Sequence, residues 1–344
     1  MHLLQTLLSP PVLGIVALFL SALWMLRDTK DKTRPLLVFA LVLNLFYGFL
    51  LTTVMGVIAL FLSAIWMLRD TKDKTRPLLV FALVLNLFYG FLLTTLMSGE
   101  GSLFPWKFDH ILFCVDQSLG IQAAAIARPL QGFMRVPLWI VYQSMVPMMI
   151  VWFLVTSYRK LRASVVLAYV AELVTGPLLY ALFPACGPIY AFGKQWLSPP
   201  PVQPVAIRLA GLPNAFPSLH IGTAFLFLLF APGKLWKAVA LAFLALTCLA
   251  TLSTGEHYVI DLIAGLAFGA FAAAVGSKDL KQASLFLSVT LAWSLVMRFA
   301  SFILIAHPFV TRSFAALTIA LAIYALFEQW RAQSSSAPEP APAS

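Results

Sequence analysis

The chain is poor in charge. Only 10% of its 344 residues are Asp, Glu, Lys or Arg, against 61% hydrophobic, whereas soluble domains carry roughly 25% charge. With a mean hydropathy of +0.91, this excludes an ordinary soluble domain and points to a membrane protein. Cysteine is also scarce. Cys114, Cys186 and Cys248 are odd in number and irregular in spacing, which excludes a disulfide framework and a zinc site. Cys248 lies in an apolar run and reads as a small packed hydrophobe. Lys and Arg are missing from Met1 to Pro11, so a cleaved signal peptide is not expected and the first span stays in the mature protein. Apart from Gln333 and one acid, residues 333–344 are Ser, Ala and Pro, too little to bury, and read as a disordered tail.

Long apolar runs dominate what is present. Residues 14–55 and 56–97 are nearly the same 42-residue sequence, differing only at Ile15/Val57, Val16/Ile58, Leu23/Ile65 and Val54/Leu96. Each copy reads as a helical hairpin around the charged turn R-D-T-K-D-K-T-R-P. Two copies are too few for a solenoid, and a segmental duplication accounts for them. A residue present twice is not unique to one active site, so chemistry is sought after residue 98. The expectation is an all-α, polytopic transmembrane bundle of about eleven spans. These run over 8–26, 36–52, 55–68, 78–96, 138–156, 163–182, 218–231, 238–253, 258–275, 283–306 and 313–328. Residues 1–97 form N-terminal membrane hairpins and 98–332 the remaining membrane domain. The charge-free stretch from Leu36 to Leu68 is 33 residues long, short of the ~40 that two comfortable spans need, so those spans are short or turn sharply.

The basic residues sort by loop. Sixteen of the 23 lie on one side: Arg27, Lys30, Lys32, Arg34, Arg69, Lys72, Lys74, Arg76, Arg159, Lys160, Arg162, Lys234, Lys237, Lys278, Lys281 and Arg331. The positive-inside rule makes that side cytoplasmic, with the N-terminus outside and the C-terminus inside. The net charge of +10 is thereby explained without nucleic acid. Lys107, Arg128, Arg135, Lys194, Arg208 and Arg312 fall on the opposite side, and Arg298 within a span.

The outer segments carry the candidate chemistry. The run N-A-F-P-S-L-H, Asn214 to His220, leads straight into an apolar helix, with Ser218 placed as N-cap. A helix N-terminus offers free N–H groups to an anion. Further on, S-T-G-E-H-Y-V-I-D-L-I-A-G, Ser253 to Gly265, puts His257 and Asp261 four apart on one helix face. A carboxylate at that depth needs a partner, and His257 is the natural one. The plain alternative is an ion pair that steadies a helix end. Trp106, Phe108, Asp109, His110 and Asp116 read as an interfacial helix on the outer leaflet. Glu256 reads as solvated, and Glu172, alone within a span, receives no role.

Pro217, Ser218, Leu219 and His220 resemble the Pro-Ser-x-His motif of the type-two phosphatidic acid phosphatase superfamily. His257 and Asp261 resemble its His-x-x-x-Asp motif. His257, Tyr258, Asp261 and Gly265, as H-Y-x-x-D-x-x-x-G, look most like the branch that includes inositol phosphorylceramide synthases. The resemblance covers roughly 105–275. Two departures stand out. An Arg usually found six positions before the second His is Thr251 here. The superfamily's Lys-x6-Arg-Pro motif has its best-placed counterpart in Tyr180-x6-Gly187-Pro188, which keeps only the spacing and the proline. Arg27-x6-Arg34-Pro35 and Arg69-x6-Arg76-Pro77 fit the letters but lie on the cytoplasmic side.

The resemblance implies a lipid phosphotransferase or phosphatase. His257 is the nucleophile, Asp261 orients it, and His220 is general acid and then base. Ser218 and the N–H groups of 218–220 would bind the transferring oxygens. Charge compensation is still required, and Arg128, Arg135, Lys194, Arg208, Arg298 and Arg312 are its candidates. Arg298 stands out because an intramembrane Arg faces a polar cavity or snorkels. No metal or other cofactor is expected. The expected partners are the membrane and a phospholipid or polyprenyl phosphate substrate, in a bacterial inner membrane with the site on the periplasmic face. The other readings are a lipid-binding transporter, which usually shows inverted repeats, and a catalytically inactive membrane scaffold.

Overall fold

The structure, a computed structural model, describes residues 104–145, 148–149, 152, 155–156 and 162–335. The tandem repeat and the first four expected spans lie outside the described residues. The described part is mainly helical, as the apolar runs demand. A short antiparallel pair, β1 (Trp106–Lys107) with β2 (Ile207–Arg208), ties two loops together. The helices are α1 (Asp109–Leu119), α2 (Ala123–Ala127), α3 (Arg135–Gln143), α4 (Arg162–Leu182), α5 (Pro188–Phe192), α6 (Leu219–Leu229), α7 (Gly233–Thr254), α8 (Val259–Gly276), α9 (Leu280–Ala306) and α10 (Pro308–Ser335). The last helix runs three residues into the segment expected to be a disordered tail.

Among the described residues, five helices are long and apolar enough to cross a membrane, and up to six spans result if the bent pair 109–119 and 123–130 counts as one. Of the seven spans expected after residue 98, most of 138–156 lies outside the described residues, and 218–231 is not among the helices long enough to cross. The run expected to span as 218–231 is the 11-residue α6, which reaches only about 16 Å at 1.5 Å per residue. The run from 138 has its first turns in α3, an exposed helix whose buried residue is Leu138.

α8 is the axis of the bundle. Within its span 83% of the residues are buried, against 28% for α9 and α10. Its neighbours are α4, α6, α9 and α10. Small residues allow this crowding. A Cβ on Gly265 or Gly269 would stand 2.7 Å from the carbonyl oxygen of Ser218 or Gly222 on the α6 side, so α6 and α8 meet backbone to backbone, as membrane helices do at small residues. The glycine in H-Y-x-x-D-x-x-x-G thus has a packing reason.

One end of the bundle is basic. Lys237 sits 4.1 Å from the centre of the Trp330 ring. Trp330 and Gln333 donate to the carbonyls of Leu228 and Leu229 at the end of α6, at 3.0 and 2.8 Å. The start of α7 and the ends of α6 and α10 therefore meet there. The start of α6, the end of α7 and the start of α8 meet at the opposite end.

The expected interfacial helix is an integral part of the fold. α1 buries Asp109, Ile111, Leu112, Phe113, Cys114, Val115, Asp116 and Ser118 and packs on α9, α10 and α8. The aromatic residues suggested a surface position. The two aspartates seven residues apart share a face and point inward instead.

Candidate active site

Ser218 is the N-cap of α6. Its backbone is extended, and its Oγ accepts from the Ile221 N–H at 3.4 Å. The same Oγ lies 3.2 Å from Nε2 of His257. On the other side of that ring, Nδ1 is 2.8 Å from the Ala215 carbonyl oxygen and 3.4 Å from Oδ2 of Asp261. A carbonyl only accepts, so Nδ1 carries the hydrogen. Nε2 then keeps its lone pair and accepts from the Ser218 hydroxyl. His220, half-buried, stands with its ring centre 5.9 Å from that of His257, at 68°. Sequence spacing alone placed these three side chains on neighbouring helix starts, and the fold brings them into one cluster.

Asp261 plays a double part. Its Oδ2 accepts from the Tyr258 N–H at 2.7 Å, reaching back to cap the start of α8, while its own N–H donates to the Tyr258 carbonyl at 3.2 Å. Its contact with His257 is the longer one, so the expected pairing is present but shared. The nearer orienting group is the Ala215 carbonyl, a backbone atom with no side-chain signal in the sequence.

Burial holds the His257 imidazole down at about 4, below its ordinary 6.5, despite the opposing pull of Glu256 and the Ala215 carbonyl. The ring is therefore neutral near pH 7. Glu256, expected to be solvated, is partly buried and accepts from the Tyr190 hydroxyl at 3.1 Å. Burial raises its carboxyl above the usual range, against the lowering effect of His257.

Four further side chains have contacts that sequence reasoning did not supply: Asp109 and Asp116, read as interfacial, Glu172, given no role, and Tyr142, not named at all. Asp116 accepts from the N–H groups of Val259 and Ile260 at 2.8 and 3.0 Å, capping α8 from a neighbouring helix. Asp109 accepts from the N–H groups of Cys186 and Gly187 and from the Tyr258 hydroxyl at 3.2 Å. Their seven-residue spacing was a usable signal. Tyr142, at the end of α3, stacks on His220 with ring centres 4.3 Å apart and 20° between planes. No local pattern announces that contact, 78 residues away in sequence. Glu172 accepts from Thr223 Oγ1 at 3.0 Å across the α4–α6 seam.

Residues 110–275 match the family model of the PAP2 superfamily. The match supports the type-two phosphatidic acid phosphatase superfamily. No curated protein and no solved structure matches the chain. Members of the superfamily generally catalyse phosphoryl transfer or hydrolysis, and the matched segment holds Ser218, His220, His257 and Asp261.

The superfamily's missing cations have a structural explanation here. Gly187 is the residue set against the Arg of Lys-x6-Arg-Pro by the spacing Tyr180-x6-Gly187-Pro188. Its φ is +100°, and a Cβ there would collide with the backbone of Glu256. No arginine fits, and Asp109 already takes the two N–H groups of that loop. Tyr180, at the Lys position, is buried. Thr251, at the other Arg position, is buried and donates to the carbonyls of Thr247 and Cys248.

The expected replacement cations are placed otherwise. Arg298 donates to the carbonyl of Leu182, the last residue of α4, and lies over the rings of Phe108 and Phe299 at 5.4 and 5.5 Å. Arg312 donates to the Ser118 carbonyl near the end of α1. Both complement helix C-termini, where positive charge is favoured. Arg128 is exposed and bonded to Leu197 and Ser198. Arg135, Lys194 and Arg208 are exposed, Arg135 at the start of α3 and Arg208 on β2. The structure thus bonds Arg298 to the end of α4, where the sequence left a polar cavity and snorkelling as alternatives.

Proposed function

We propose that the chain is an integral-membrane enzyme that transfers the phosphoryl group of a lipid phosphate ester through a phosphohistidine on His257. The observation that carries the reading is the unprotonated Nε2 of His257, aimed at the capped start of α6 beside His220. In the first step the Nε2 lone pair forms a bond to phosphorus and the ester P–O bond breaks. His220 gives its proton to the departing oxygen. In the second step His220 takes the proton of an acceptor hydroxyl, whose oxygen forms a bond to phosphorus as the P–N bond breaks. Ala215 and Asp261 keep the Nδ1 hydrogen in place throughout, as an orienting acid does in a triad.

The transferring oxygens would sit at the start of α6. The Ser218 N–H already serves the Asp261 carbonyl at 3.1 Å, and Ile221 N–H serves Ser218 Oγ. That leaves the N–H groups of Leu219 and His220, in a first turn that lacks helical partners, and the Ser218 hydroxyl once it turns from Nε2. The start of α8 does not compete, because Asp116 and Asp261 fill it.

The outer leaflet is the proposed side. His257 and Ser218 stand at the end of the bundle opposite the loops with Lys234, Lys237, Lys278 and Lys281, and positive loops face the cytoplasm. In a bacterial inner membrane that side is the periplasm. Water as acceptor makes the protein a phosphatase, and a sugar or polyol hydroxyl makes it a transferase. The H-Y-x-x-D-x-x-x-G residues favour the inositolphosphotransferase-like branch.

The test is turnover by purified protein. Labelled phosphatidic acid, polyprenyl pyrophosphate and phosphatidylinositol are each supplied with and without ceramide or diacylglycerol. Phosphoryl release or transfer that is lost in His257→Ala and in His220→Ala is expected. Equal turnover by His257→Ala would remove the nucleophile assignment, and no turnover of any substrate by the wild type would favour the scaffold reading.

A further inference from the structure

His220 differs from His257 in what surrounds it. His257 has a carbonyl and a carboxylate on Nδ1 and a hydroxyl on Nε2. Among the described residues, His220 has no hydrogen bond or ion pair to a carboxylate. Its ring contacts are the face of Tyr142 at 4.3 Å and the edge of His257 at 5.9 Å. A half-buried imidazole that must carry a positive charge before it can donate a proton needs some compensation for lost water. The face of a phenol ring is the negative end of its quadrupole, and it attracts a cation held against it.

We propose that Tyr142 is a positioning residue for His220: its ring face fixes the imidazole plane and stabilises the protonated form that acts as general acid. The placement supports this. Tyr142 lies one helical turn after Leu138, the buried residue of α3, and the two share a face. α3 is held on α7, so Leu138 anchors the helix while Tyr142 reaches His220. The 20° between planes is that of a stack. The proposal rests on the acid role given to His220 above.

The other titratable groups around His220 come from four places. His257 and Glu256 stand before α8, Tyr190 on α5 is bonded to Glu256, and Glu172 on α4 is bonded to Thr223, one turn along α6. On α7, Cys248 packs by Ile221. Tyr142 also stands within electrostatic reach of Glu256 and Tyr190, so Tyr142→Phe, which removes only the hydroxyl, is needed to separate the ring from those neighbours.

The experiment is the pH dependence of kcat/KM for wild type, Tyr142→Phe and Tyr142→Leu, on whichever phosphate ester the wild type turns over. The basic limb reports loss of the His220 proton in the free enzyme. Tyr142→Leu is expected to move that limb to lower pH by about half to one unit, the equivalent of one cation–π contact. Tyr142→Phe keeps the ring and is expected to leave the limb where the wild type has it. An unmoved limb in Tyr142→Leu overturns the proposal. So does a limb displaced equally in Tyr142→Phe, which would make the hydroxyl the active part. If Tyr142→Leu does not fold, Tyr142→Met, which also removes the ring face while filling its space, takes its place with the same two outcomes. His220→Ala separates the two levels: a basic limb that survives in it removes the acid role of His220, not the stack.

Discussion

Nε2 of His257 lies 3.2 Å from the hydroxyl oxygen of Ser218, while Nδ1 of the same ring lies 2.8 Å from the carbonyl oxygen of Ala215. The carbonyl fixes the hydrogen on Nδ1 and leaves the lone pair on Nε2, the atom proposed as nucleophile. Ser218 therefore occupies the lone pair of the proposed nucleophile, and under the proposed function a phosphoryl group would displace it.

The pH dependence follows from the burial of that ring. His257 is held at about 4 rather than 6.5, and protonation removes the lone pair. Activity through His257 is present above the lowered value and is lost as pH falls through it. The acid limb of kcat/KM is thus expected near pH 4 to 5, and because burial and the neighbouring His257 lower the His220 imidazole too, the basic limb that completes the bell is expected below 6.5. An acid limb at 6.5 would mean that His257 is solvated. A profile flat from pH 5 to 9 would contradict the acid–base assignment altogether.

Gly187 gives a test of the missing arginine. Gly187→Ala must place a Cβ at φ +100°, against the Glu256 backbone. Left-handed backbone alone costs a non-glycine residue about 1–2 kcal/mol, and the overlap adds to it. The expected outcome is a clear drop in melting temperature for Gly187→Ala and a larger one for Gly187→Arg, without any gain in phosphate affinity. A Gly187→Arg protein of wild-type stability with a lower KM would show that the loop can hold the superfamily's cation.

Arg298 separates a structural cation from a substrate-binding one. It is bonded to the Leu182 carbonyl and packed on Phe108 and Phe299. Arg298→Met is expected to lower stability by about 1–3 kcal/mol, as for a partly buried charged hydrogen bond, with KM for the phosphate ester unchanged. Thermal unfolding and steady-state kinetics on the same preparation distinguish the two. A raised KM at unchanged stability would return Arg298 to the phosphate site.

Asp116 tests the positioning of α8. Its carboxylate holds two successive N–H groups at the helix start. Asp116→Ala leaves both buried donors unpaired, at about 1–3 kcal/mol each. A marked loss of thermal stability is expected, partly recovered by Asp116→Asn, which keeps one acceptor. Equal stability of all three proteins would mean that α8 is held by its packing alone.

Much of the site was legible because its chemistry is local. Ser218 as N-cap follows from a polar residue before an apolar run, and His257 with Asp261 from a four-residue spacing. What stayed hidden depends on contacts between distant segments. The Ala215 carbonyl is a backbone group, and Tyr142 meets His220 only once α3 is seated on α7. The fold was legible as apolar helices, but hydropathy does not report depth. α6 is as apolar as a span and yet stops after 11 residues. α1 was misplaced for the opposite reason: its aspartates look solvent-seeking in sequence, and both are buried as caps for other segments' N–H groups.

The central claim is that His257 becomes covalently phosphorylated. The direct measurement is rapid acid-free quenching of the purified protein with a phosphate ester labelled at phosphorus, followed by mapping of the labelled peptide. A label on His257 that is stable in base, lost in acid and absent from His257→Ala is expected. Turnover by the wild type with no label on His257, together with turnover by His257→Ala, would contradict it.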